Sequence, residues 1–103
     1  MSFRRDGKAA NRWRDWRASH AAALSECGLP EAVFRDEAVW ENFLAEGYVG
    51  AGHGAWSGWK VELLSPEQAR RLDDFLRTAC ADHPFQPSMR ILLRRLFRLG
   101  EAD

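Results

Sequence analysis

Residues 65–82 read Ser65-Pro66-Glu67-Gln68-Ala69-Arg70-Arg71-Leu72-Asp73-Asp74-Phe75-Leu76-Arg77-Thr78-Ala79-Cys80-Ala81-Asp82, and their pattern decides the fold. Ser65 is a helix N-cap, Pro66 occupies the first helical position, and Gln68 completes a capping box. Ala69, Leu72, Phe75, Leu76, Ala79 and Cys80 follow at helical spacing and form one apolar stripe, which predicts a helix over 66–82. His83-Pro84 and Pro87 then force a turn, because a residue preceding proline is pushed out of helical geometry. A last helix over 88–99 carries Met89, Leu92, Leu93, Leu96, Phe97 and Leu99 on one face, with Arg90, Arg94, Arg95 and Arg98 on the other.

Upstream, Trp13, Trp16, His20, Leu24 and Cys27 recur at steps of three and four. They define a first helix over 8–27, with Asp6 as its N-cap and Gly28-Leu29-Pro30 as its stop. A second helical segment spans 31–46, broken by a short turn and capped afresh at Asp36. Val33, Val39, Trp40, Phe43 and Leu44 form its core face, and Glu37, Glu41 and Glu46 lie opposite. Residues 47–58 change character, crowding Gly47, Gly50, Gly52, Gly54 and Gly58 around Tyr48, His53 and Trp56; this is a loop. Trp59, Val61 and Leu63 then alternate with Lys60 and Glu62 as a short extended segment. No other strand is evident for it to join, so it is expected to pack on the helices rather than form a sheet.

The expected architecture is therefore all-α: one domain of four main helices (about 8–27, 31–46, 66–82 and 88–99), with a Gly/Trp-rich loop and a short extended segment at 47–64. Residues 1–5 and 101–103 are expected to fray. A chain of 103 residues with 46% hydrophobic and 29% charged side chains has room for one core and falls outside the disordered and low-complexity classes. Its longest apolar runs, Ala21-Ala22-Ala23-Leu24 and Ile91-Leu92-Leu93, are far short of the ~20 residues of a membrane span. No apolar stretch follows the charged residues 1–8, and two cysteines without a secretory leader read as reduced thiols. These features point to a soluble protein of the cytoplasm. The excess of Arg and Ala suggests a GC-rich bacterial genome.

Fifteen basic and fifteen acidic residues cancel, but they are segregated. Residues 1–17 hold six basic and two acidic groups, residues 18–82 five and eleven, and residues 83–103 four and two. Neutrality argues against indiscriminate polyanion binding, while the basic ends offer local sites for one.

The chain lacks the constellations that most chemistry requires. Gly50-Ala51-Gly52-His53-Gly54 follows a helix and precedes an extended segment, the reverse of a phosphate-binding loop. Ser57 is one place off a nucleophile elbow and lacks its strand–turn–helix setting. Glu26 beside Cys27 would raise the thiol pKa, and Cys80 could meet His83 only if its helix persisted that far. His20 and Cys27, seven residues apart on a helix, are about 10 Å apart and cannot share one ion, so no metal set is assigned. No catalytic residue, cofactor or metal is expected, and the chain reads as non-enzymatic.

Five tryptophans in 103 residues are more than four modest helices need. The leading expectation is a small protein-interaction or adaptor module, with Tyr48, His53, Trp56 and Trp59 as partner-binding candidates, since loop aromatics give large contact areas. The alternative is a nucleic-acid-binding regulator using Arg12, Arg14, Arg17, Arg90, Arg94, Arg95 and Arg98. Guanidinium groups interleaved with Trp13 and Trp16 can stack on bases as well as bind phosphate. This reading requires both basic ends to converge on one surface. A homodimer is left open by the broad apolar stripe of the last helix.

Overall fold

A computed structural model describes residues 2–50 and 58–99, with side chains from residue 11 onward. Four α-helices make up most of it: α1 (Ser2–Glu26), α2 (Glu37–Glu46), α3 (Pro66–Ala79) and α4 (Gln86–Phe97). The all-α reading holds, and its helix boundaries shift for local reasons. α1 begins at Ser2 instead of near residue 8, so Asp6 lies inside the helix and does not cap it. Nothing between residues 2 and 8 breaks a helix beyond the modest cost of Gly7, about 1 kcal/mol relative to Ala. The second segment divides as its sequence suggests, into a one-turn 3-10 helix at Glu31–Phe34 and then α2, where Asp36 accepts a hydrogen bond from the Val39 backbone N–H at 3.0 Å.

α3 stops at Ala79, with Cys80 as its C-cap, three residues earlier than its apolar stripe implies. α4 starts two residues earlier than expected because Pro87 sits in its first turn, where no backbone N–H is needed, and opens the helix. The buried Gln86 side chain donates to the Leu76 carbonyl at 3.1 Å, as a second donor beside the Cys80 backbone N–H, and so ties the start of α4 to the end of α3.

The expectation that the extended segment stays unpaired is wrong. β1 (Tyr48–Val49) and β2 (Trp59–Lys60) form a two-stranded antiparallel ladder, pairing Tyr48 with Lys60 and Val49 with Trp59. The partner strand is the other flank of the same loop, too short to show a period of its own. Val61–Leu63, expected to continue the strand, instead tightens into a 3-10 turn.

α3 packs on α4, α2 packs on α4 and β1, and α1 lies against α3. Leu24, Trp40, Phe43, Leu44, Leu72, Leu76, Met89 and Leu93 fill the centre. Across the α3–α4 seam, Arg90 Nε donates to Asp73 at 2.9 Å, with both side chains about four-fifths covered. The capping box is complete: Gln68 N–H donates to Ser65 Oγ at 3.1 Å, and Ser65 N–H donates to Gln68 Oε1 at 2.9 Å. Ser65→Ala should therefore cost about 1 kcal/mol in urea denaturation, and Ser65→Asp should restore most of it. No helix among the described residues is long and apolar enough to cross a membrane.

Candidate functional site

The helical steps of α1 place Trp13, Trp16 and His20 on the face that also carries Leu24. Trp13 and Trp16 stack with ring centroids 5.1 Å apart and planes 19° from parallel. Both meet Trp40 of α2, at 6.5 and 5.7 Å, and Trp40 continues to Phe43 at 5.8 Å and on to Trp59 of β2 at 5.7 Å. Four of the chain's five tryptophans thus join one row of rings that runs from α1 through α2 to the hairpin. A branch passes from Trp16 to His20 at 4.7 Å and from His20 to Phe75 at 5.5 Å. Trp40 and Trp59 are buried, whereas Trp13 and Trp16 are only partly covered.

The uncovered end of this row forms one wall of an open groove of about 530 Å³. Trp13, Trp16 and Trp40 face the turn Cys80-Ala81-Asp82-His83 across it, with Arg12 and Glu37 also on its lining. The volume is typical of ligand sites, which run ~300–1,000 Å³. The Trp13 indole N–H is shielded from solvent and has no acceptor among the described residues, a situation that costs about 1–3 kcal/mol. Glu37 and Asp82 are exposed and make no ion pair among the described residues. On the same turn as Asp82, His83 Nδ1 accepts the Phe85 backbone N–H at 3.1 Å, which puts the proton of the neutral ring on Nε2, 3.8 Å from Glu41.

The chemistry of the cysteines is suppressed by their surroundings. Burial pushes the Cys80 thiol up to about 12. Burial likewise raises Cys27 to about 11, with Glu26 and Asp74 adding to the rise and Arg71 opposing it. Both thiols should resist alkylation at pH 8 in the native protein and react once it unfolds, which a timed iodoacetamide reaction followed by mass spectrometry will read. Because both values lie above the ordinary 9.0, this contribution to stability is intact below pH 9 and declines as pH rises toward 11 and 12.

The residues singled out in the sequence are dispersed. Tyr48 stands exposed on β1, but Trp59, offered as a contact residue, is 6% exposed and packs on Phe43, so it belongs to the core. His53 and Trp56 lie outside the described residues. Among the arginines, Arg17 is engaged internally: its Nε donates to the Phe34 carbonyl at 2.9 Å, a terminal nitrogen reaches Glu31 at 3.0 Å, and the guanidinium lies 5.5 Å from the Phe34 ring centre. Arg90 is held by Asp73. Arg12, Arg14, Arg94, Arg95 and Arg98 are exposed and without ion pairs among the described residues.

Sequence reasoning missed Glu37, Asp82 and Trp40 as groove residues, because each is unremarkable on its own helix or turn and only tertiary packing unites them. No family model, curated protein or solved structure matches this chain.

Proposed function

We propose that the protein is a non-enzymatic protein-interaction module whose recognition surface is the indole-walled groove. The observation that carries this reading is the stacked Trp13–Trp16 pair, left partly uncovered at the mouth of a groove backed by buried Trp40. Tryptophans on a rigid support are enriched among the anchors of protein interfaces, because they offer large contact area at little entropic cost. The suppressed thiols and the engaged His83 Nδ1 favour binding over nucleophilic chemistry. Two unpaired cysteines suit the reducing cytoplasm.

The test is affinity capture from native extract, with and without nuclease, comparing wild type with two folded variants. Ala81→Trp fills the groove without disturbing its rings, and an Arg94→Gln, Arg95→Gln double variant strips the outer face of α4. A protein partner that survives nuclease and is lost only in Ala81→Trp supports the groove. A second reading, nucleic-acid binding, is favoured by one observation: Arg94, Arg95 and Arg98 are exposed beside exposed Ile91 and make no ion pair among the described residues. It gains the ground if the capture is abolished by nuclease and by the α4 variant, with a steep salt dependence.

A further inference from the structure

We propose that the groove binds an arginine side chain presented on an extended segment of a partner polypeptide. This rests on the groove being the recognition surface and adds the chemistry of what enters it. The partly covered indoles of Trp13 and Trp16, backed by buried Trp40, supply a surface whose negative quadrupole attracts a cation, and Trp is the strongest aromatic partner for one. Glu37 and Asp82 line the same groove, are exposed, and have no cationic partner among the described residues. Buried Cys80 contributes no charge. Among the described residues the remaining cation on the lining is Arg12, so there two carboxylates share the groove with one guanidinium.

Arginine fits better than lysine. Its planar guanidinium stacks on an indole while its N–H fork bonds a carboxylate, whereas an ammonium is a compact and strongly hydrated point charge. A space of about 530 Å³ exceeds one guanidinium and admits the flanking peptide backbone. Its openness favours a segment laid along the surface over a small free cation, because small ligands bind where ~70–90% of their surface is enclosed.

The test follows the indole N–H signals of the full ¹⁵N-labelled chain during titration with blocked hexapeptides bearing arginine, lysine or citrulline at one central position, and with methylguanidinium. The arginine peptide should move the Trp13, Trp16 and Trp40 signals and bind at least about tenfold more tightly than the uncharged citrulline peptide, with lysine between them. The Glu37→Gln, Asp82→Asn double variant should lose about tenfold, while Arg12→Gln, which removes the opposing charge, should bind more tightly. Equal binding of citrulline and arginine, or indifference to the double variant, overturns the arginine assignment. Methylguanidinium binding as tightly as the peptide overturns the polypeptide part. If no peptide moves these signals but Ala81→Trp still abolishes partner capture, the arginine proposal falls and the groove reading stands. Capture unaffected by Ala81→Trp removes the groove reading itself.

Discussion

Trp40→Ala should destabilise the protein by about 3–5 kcal/mol, the largest loss expected from any single ring, and lower the thermal midpoint by on the order of 15 °C or more. The magnitude follows from position. Trp40 is 2% exposed and touches Trp13, Trp16 and Phe43, so its removal opens a void between two helices and withdraws the support behind the groove. A domain of this size has ~5–15 kcal/mol in total, so a substantial unfolded fraction at 37 °C is expected. Trp13→Phe is the informative contrast. It shortens a partly covered ring but also deletes an N–H that has no acceptor among the described residues, so the two effects oppose and the change should stay within about 1 kcal/mol. Urea denaturation of both variants gives the comparison. A Trp40→Ala loss no larger than that of Trp13→Phe would mean that the row of rings is not the packed support described.

Gly47→Ala should cost roughly 2–4 kcal/mol, through two separable causes. Gly47 ends α2 in left-handed geometry at φ 70°, while its N–H donates to Phe43 and its carbonyl accepts from Val61. A methyl group there also runs into Leu92 Cδ2 of α4. Gly58, at φ 81°, has nothing within 4 Å of its missing side chain among the described residues, so Gly58→Ala isolates the conformational part at about 1 kcal/mol. The excess at Gly47 should shrink when Leu92→Ala is added. Equal costs at Gly47 and Gly58 would show that α4 does not press on the end of α2.

What could be read from the sequence was what neighbouring residues decide among themselves. Ser65, Pro66 and Gln68 announced a helix start because all three act within one turn, and Asp36 did the same for α2. The β1–β2 ladder was missed because Tyr48–Val49 has meaning only once the loop has folded back on itself. Trp59 was misplaced for the same reason: its neighbours are loop residues in sequence, but its packing partner is Phe43. The candidate site was half legible. Trp13 and Trp16 were recognised as one stripe, while the groove also requires Glu37 from α2 and Asp82 beyond α3, which no spacing rule connects.

The central claim is that recognition occurs on the indole-walled groove. The most direct measurement is a map of backbone and indole ¹H–¹⁵N shift changes when the labelled chain binds a partner retained after nuclease treatment. The account predicts the largest changes at the indoles of Trp13, Trp16 and Trp40, at Glu37, and along 80–83. Changes confined to Arg94, Arg95 and Arg98 on α4, or to Tyr48 and its hairpin, with the groove signals unmoved, would contradict it.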